Sequence, residues 1–183
     1  MGKMSTATET QQATGVWTVD KVHSTVQYEI EHNGATKNRG NFGDVDAELV
    51  YGDDGVKITG SVNLDSVDLR DEQQKGHVLS PDFFDAERYP TIDFESTSIE
   101  LDNAEVAVHG NLTVKGQSKP VTIKGTIGTP VPNLAGSQSI PVSLHTTINR
   151  QDYGVSWNAE LPNGSKVLGD DVYVSVELEL VQG

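Results

Sequence analysis

Along most of this chain, apolar and polar residues alternate with period two, the signature of strands with one buried and one wet face. After "VWTVD" at 16–20, the stretch "VHSTVQYEIEH" places Val22, Ser24, Val26, Tyr28, Ile30 and His32 on one face and Glu29 and Glu31 on the other. Ala47, Leu49 and Tyr51 alternate next. Phe42 falls on the opposite parity from them, which predicts a bulge near Gly43. "GDDG" at 52–55 is a hairpin turn, and Val56, Ile58, Gly60, Val62, Leu64 and Ser66 follow on one face. The same rhythm returns in "TIDFESTSIEL" and "AEVAVHGNLTVKG", in "PVTIKGTIG", in "IPVSLHTTINR" and in the closing "VYVSVELEL". "KGQSKP" is expected to be a turn, and "TPVPNLAGSQS" and "QDYGVSWNAELPNGSKVLGDD" to be loops.

One stretch breaks the rhythm. "LRDEQQKGHVLSPDFFDAERYP", residues 69–90, has no period-two pattern and keeps two aromatics side by side. Asp71 to Leu79 predicts a short helix. Ser80-Pro81 suits the start of a second helical turn, because Ser caps free N–H groups and Pro fits the first helical position. Leu79 and Phe83 then fall four apart, near one face. Tyr89-Pro90 ends the insert at about residue 87, since a residue before Pro favours extended geometry.

About eight antiparallel strands with one short helical insert point to an all-β fold, either a two-sheet sandwich or a closed barrel. An eight-stranded barrel either fills its interior with side chains or holds one small ligand. Gly60, Gly110 and Gly125 lie on apolar faces, where they allow coiling or leave room. Strands of about nine residues reach ~30 Å, long enough for a thin apolar ligand. The expected domain plan is a polar leader over 1–15 and one barrel domain over 16–183, with no linker or repeat between strands.

Composition narrows the function. The 183 residues carry 27 acidic and 13 basic side chains, a net charge of −14, so a phosphate backbone or anionic membrane surface is repelled. No nucleic acid and no stable membrane insertion are expected. With no cysteine there is no disulfide framework, thiol catalyst or cysteine zinc site. The start, "MGKMSTATETQQATG", lacks the apolar run of a signal peptide, which predicts a cytoplasmic protein.

Candidate chemistry is sparse. The five histidines show no metal-ligand spacing, and no G-x-S-x-G or phosphate-cradling glycine loop occurs. His109 and His145 face outward by parity. His32 continues an apolar face toward a barrel mouth, and His23 beside Ser24 either caps a turn or holds a head group. Arg70 and Arg150 stand at strand ends, each paired with a neighbouring Asp71 or Asp152 or binding an anionic head group. A cavity with few titratable groups favours binding over catalysis, with no cofactor, metal or catalytic residue assigned.

The pieces together resemble the YceI-like family from about Trp17 onward. The resemblance rests on "WTVDKVHSTVQYEIEH", on "DSVDLRDEQQKGHVLSPDFFDAERYPTIDFEST", on "VHGNLTVKGQSKPVTI" and on "INRQDYG". It implies a bacterial, lipocalin-like eight-stranded barrel, often dimeric, that binds polyisoprenoids, isoprenoid quinones or fatty-amide chains in an elongated cavity. Many members are periplasmic or secreted, and this chain departs from them in its start.

On strand parity, Val26, Tyr28, Ile30 and Phe42 would line that cavity from one side. Val62, Leu64, Phe94, Leu112, Leu144 and Val174 would line it from the others. Leu79, Phe83 and Phe84 would form an apolar lid over one opening, or plain core. His32, Arg70, His77 and Arg150 are the head-group candidates. Two other readings stand beside lipid carriage: an enzyme acting on an isoprenoid or quinone, and an interaction module with a filled core.

Overall fold

The computed structural model describes residues 15–182, so the expected leader lies outside the described residues up to residue 14. Gly15 itself opens the first strand.

The strands are β1 (Gly15–Val19), β2 (Thr25–His32), β3 (Thr36–Phe42), β4 (Val45–Gly52), β5 (Gly55–Asn63) and β6 (Val67–Asp68). A helix, α1 (Glu72–Leu79), interrupts the run. Then come β7 (Thr91–Asp102), β8 (Glu105–Val114), β9 (Gln117–Ile127), β10 (Val131–Pro132), β11 (Gln138–Asn149) and β12 (Leu168–Gln182). Three pairs of these are single wall strands with a break. β1 and β2 both pair with β12, β4 pairs with β1 while β3 pairs with β2, and β6 carries β5 onward beside β3. The three broken strands with β7, β8, β9, β11 and β12 make eight, and the β11–β12 ladder closes them into a barrel.

The breaks follow local chemistry. Asp20 to Ser24 form a turn between β1 and β2, so Val22 leaves the expected face and stands 86% exposed. Ser24 is buried there, and its hydroxyl accepts from the Glu179 N–H at 3.0 Å, replacing a ladder bond. The parity change at Phe42 is a break before Val45, as the pattern predicts. Asn63 caps a 3-10 turn over Leu64–Ser66, its side chain accepting from the Asp65 N–H. "QSKP" belongs to β9, not to a turn: Lys115 and Gly116 alone make the reversal, both at positive φ.

In the insert, Asp71 caps α1 as expected, accepting from the Gln73 N–H at 3.1 Å. Ser80 does not start a second helical turn. It ends α1, its hydroxyl donating to the His77 carbonyl at 2.6 Å, and it caps the Asp82 N–H as expected, at 3.3 Å, but the chain enters a turn closed by Asp85 at φ 53°. Phe83 and Leu79 therefore do not share a helix face: Leu79 packs against the main core and Phe83 against a second cluster. Phe83 turns toward Tyr153 and Val155, while Phe84 also reaches the main core at Phe42.

The core fills one end of the barrel. Trp17, Leu49, Ile140 and Leu180 lie at 2, 0, 0 and 2% exposure. Strand register puts Trp17 against Leu49 and Ile140 against Leu180. Gly125 permits close strand approach, since a Cβ there would overlap the Ser143 carbonyl. Gly110 does the same opposite the bulge at Ser96–Ser98. Gly60 differs: a Cβ would come no nearer than 3.6 Å to any atom, so this glycine leaves room inside.

Candidate functional site

Above the packed end the barrel is hollow. The cavity has a volume of about 410 Å³, within the ~300–1,000 Å³ range of small-molecule sites. Its deep part lies among Ala47, Ile58, Val108, Ile123 and Leu178. Val26, Tyr28 and Ile30 of β2 and Val172, Val174 and Val176 of β12 form one wall, because their alternation puts every second residue inside. Phe42, Val62, Phe94, Leu112 and Leu144 line the rest, with Phe83 and Phe84 at the covered end.

Two predicted lining residues fall elsewhere. Leu64 has 0% exposure within the main core, because the 3-10 turn after Asn63 breaks strand parity just before it. Leu79 packs against the outside of that core at the end of α1. Of the head-group candidates, His32, His77 and Arg150 border the cavity. Arg70 is exposed at the start of the insert and does not.

The mouth is covered from two sides. Gln74, His77 and Val78 of α1 lean over it, and Trp157 and Val167 of the loop between β11 and β12, with Leu168 at the start of β12, meet them. The rings of His77, Phe83 and Trp157 form one cluster, with centroids 4.7 to 5.4 Å apart. His77 Nε2 and Asp82 stand 3.0 Å apart. The Lys115 ammonium ties the two covering segments together, donating to the Pro81 carbonyl at 2.9 Å and the Gly154 carbonyl at 3.3 Å. Trp157 carried a signal in the sequence that parity did not use: a large apolar side chain in a polar, glycine-containing loop.

Arg150 has a different role from the one its position suggests. It is 3% exposed, and its guanidinium donates to the carbonyls of Gly169, Val155 and Trp157, each at 2.8 Å. Its remaining Nη2 lies 3.8 Å from Asp170, not beside Asp152. Burial pulls its pKa below the usual arginine value, and Asp170 opposes that. Arg150 thus folds the mouth loop back onto the barrel through Nε and Nη1, while its Nη2 is buried with no hydrogen-bond partner.

Tyr28 is a half-buried polar group in the wall. Its ring covers Gly40 on β3 and sits 5.8 Å from the Phe42 ring. Burial alone pushes its hydroxyl pKa up to about 12, so it stays a neutral donor at any physiological pH.

The other histidines lie outside the cavity. His109 is hydrogen bonded to Glu100 and Thr122 on the outer face, and His145 stacks on Tyr173. His23 caps the β1–β2 turn, with Nδ1 2.8 Å from Asp20. Asp20, His23 and Glu179 bring their ligand atoms within 4.8 Å of one another on the outer wall.

Comparison with known proteins agrees with this geometry. Residues 17–180 match the YceI-like domain family. A UPF0312 protein of Staphylococcus aureus is 32% identical over 171 residues, which cover 89% of this chain and 95% of the relative. The crystal structure of Burkholderia cenocepacia BcnA superposes with a TM-score of 0.73 at 24% identity, over 88% of this chain and 98% of that one. A polyisoprenoid binding domain from Saccharophagus degradans superposes with a TM-score of 0.67 at 12% identity, over 93% and 100%. At such identities the two structures share the fold.

Proposed function

The chain belongs to the YceI-like family, and from that premise we propose that it binds and carries a long-chain apolar lipid, a polyisoprenoid or isoprenoid quinone, without catalysis. The observation that carries this reading is the 410 Å³ cavity with its almost wholly apolar wall, closed at one end by Trp17 and its neighbours. Burying apolar surface is worth ~25 cal/mol per Å², so an isoprenoid chain laid along this wall gains affinity without any directed contact. The named ligand class of the Saccharophagus domain makes polyisoprenoids the first chemistry to test.

Catalysis has little to work with. Of the described titratable groups lining the cavity, His77 engages Asp82, and two guanidinium nitrogens of Arg150 engage backbone carbonyls. A hollow of this size also weighs against an interaction module with a filled core.

Mass spectrometry of an organic extract from freshly purified protein, beside the native mass of the intact protein, tests the reading. A stoichiometric long-chain isoprenoid or quinone, recovered unchanged, is the expected result. A clean extract with no uptake of added polyprenol or quinone overturns it, and turnover of the bound molecule replaces carriage with enzyme chemistry.

A further inference from the structure

We propose that Asp20, His23 and Glu179 form a binding site for a divalent first-row metal ion such as Zn²⁺. It lies on the outer wall, and none of the three residues lines the lipid cavity. Two segments supply the donors: the β1–β2 turn carries Asp20 and His23, and β12 carries Glu179. Main-chain bonds lock these segments together. The Asp20 N–H donates to the Glu179 carbonyl at 2.8 Å, and the Glu179 N–H donates to the buried Ser24 hydroxyl at 3.0 Å. Asp20 Oδ1 accepts from the Val22 N–H at 3.0 Å, which leaves Oδ2 turned toward His23.

The donor set fits such an ion. It is more than a patch of carboxylates, because it includes an imidazole nitrogen, which suits Zn²⁺ and its neighbours, whereas Mg²⁺ and Ca²⁺ take oxygen. His23 Nδ1 stands 2.8 Å from Asp20 Oδ2 and 3.9 Å from Glu179 Oε2. All three donor atoms lie within 4.8 Å of one another. Around one Zn²⁺, with bonds of about 2.0–2.2 Å, such donors stand roughly 3–3.5 Å apart. The Glu179 side chain is 47% exposed, so it can swing inward to close the difference while the turn keeps its shape.

Charge and access favour a cation here. Lys21, the lysine of the turn, is held by Asp44 and Asp46 at 3.0 and 3.1 Å. Among the described residues, the ion-pair partner of Asp20 and of Glu179 is His23 and no lysine or arginine. Glu177 lies two residues before Glu179 on the same parity of β12 and adds negative charge beside the site. His23, Glu177 and Glu179 border a groove of about 400 Å³ between β9, β11 and β12. Three protein donors leave at least one coordination position for water or a ligand, as in open metal sites, and the groove gives it access.

Isothermal titration calorimetry of the EDTA-treated full chain with Zn²⁺, in excess Mg²⁺ and without a purification tag, tests the site. Saturable binding of Zn²⁺ is expected, with the His23 ring signals the first to move in a parallel NMR titration. His23→Ala and Glu179→Gln are each expected to weaken it by at least ~10-fold. His109→Gln, whose ring bonds Glu100 and Thr122 elsewhere on the outer face, should bind as the wild type does. Zn²⁺ should also raise the melting temperature of the wild type and not that of His23→Ala. Circular dichroism in EDTA shows whether the variants fold. Glu179→Gln, which keeps both main-chain bonds to the turn, carries the comparison should His23→Ala not fold. No saturable binding, displacement by Mg²⁺ as from any acidic surface, or a folded variant of either residue that binds as tightly as the wild type overturns the site.

Discussion

Trp157 stands edge-on to His77, ring centroids 4.7 Å apart and planes at 85°. This contact joins the loop after β11 to the helix between β6 and β7, directly over the cavity mouth. The barrel strands do not pass through it. Opening it would break no barrel ladder, which is what a removable cover requires.

Removing that contact should therefore change ligand exchange more than folding. An aromatic pair contributes about 0.5–1.5 kcal/mol beyond its area, equivalent to roughly 2- to 10-fold in a rate. Trp157→Ala is expected to speed dissociation of a bound isoprenoid by at least that factor. Lys115→Met, which frees the Pro81 and Gly154 carbonyls, should act in the same direction. Stopped-flow transfer to acceptor vesicles measures the rate. A large drop in melting temperature with no change in transfer would make the contact part of the barrel's own stability.

The adjacent aromatics should separate into two roles. Phe83 packs at the mouth with His77 and Trp157, whereas Phe84 also touches Phe42 and bridges both core clusters. Deleting a buried Phe costs ~3–5 kcal/mol, and less for a half-buried one. Phe84→Ala is expected to destabilise by about 2–3 kcal/mol. Phe83→Ala should lose less stability and release ligand faster. Chemical denaturation and exchange kinetics on the same two variants decide the split; equal losses on both would place both rings in the core.

Much of this was legible from alternation, and the failures have definite causes. Parity placed Val26, Tyr28 and Ile30 inside because nothing interrupts β2 between Thr25 and His32. It failed at Val22 and Leu64, where Asp20 and Asn63 form side-chain turns within a residue or two. Such turns compete with the ladder locally, and alternation carries no record of them. Ser80-Pro81 reads as a helix start, and the serine hydroxyl does accept from the Asp82 N–H, but it also donates to the His77 carbonyl behind it, and a turn follows in place of a helix. The partners of Arg150 are backbone carbonyls presented by a folded loop, and no residue type announces a carbonyl. Asn38, which also lines the cavity, was hidden for another reason: it is a polar side chain on the inward parity, which a search for apolar faces passes over.

The β1–β2 turn should give the protein a measurable pH signature. The Asp20 hydrogen bond, then its charge, raises the His23 pKa above its ordinary 6.5. The same hydrogen bond lowers Asp20 below 3.8. A raised histidine stabilises the fold fully below about pH 6.5, and that contribution is lost as pH rises through the folded value. A lowered carboxylate stabilises fully above about pH 3.8, and that contribution is lost as pH falls through its folded value. The pair therefore helps most in the acidic window between them. An NMR titration of the His23 ring should show a pKa above 6.5 that returns toward it in Asp20→Asn. An unchanged value in that variant would assign the shift to another group, with Glu179 at 3.9 Å the next candidate.

Two glycines on the same inward parity should respond in opposite ways to a side chain, and the contrast separates cavity from core. At Gly60 the nearest atom to an added Cβ is 3.6 Å away, and the residue borders the cavity. At Gly125 the Cβ would overlap the Ser143 carbonyl of the paired strand, a backbone atom that cannot rotate aside. Overpacking of a tight site costs ~1–3 kcal/mol. Gly125→Ala is expected to lose about that much stability, because β9 and β11 must move apart. Gly60→Leu should keep most of the stability, since the new side chain fills space that a ligand otherwise occupies, and should lower lipid capacity in proportion. Equilibrium unfolding and native mass spectrometry of the loaded protein measure both. If Gly60→Leu bound as much lipid as the wild type, the ligand would not run past β5. Its path would then be confined to the wall of β2 and β12 above Val176, where the alternating valines already line one side of the cavity.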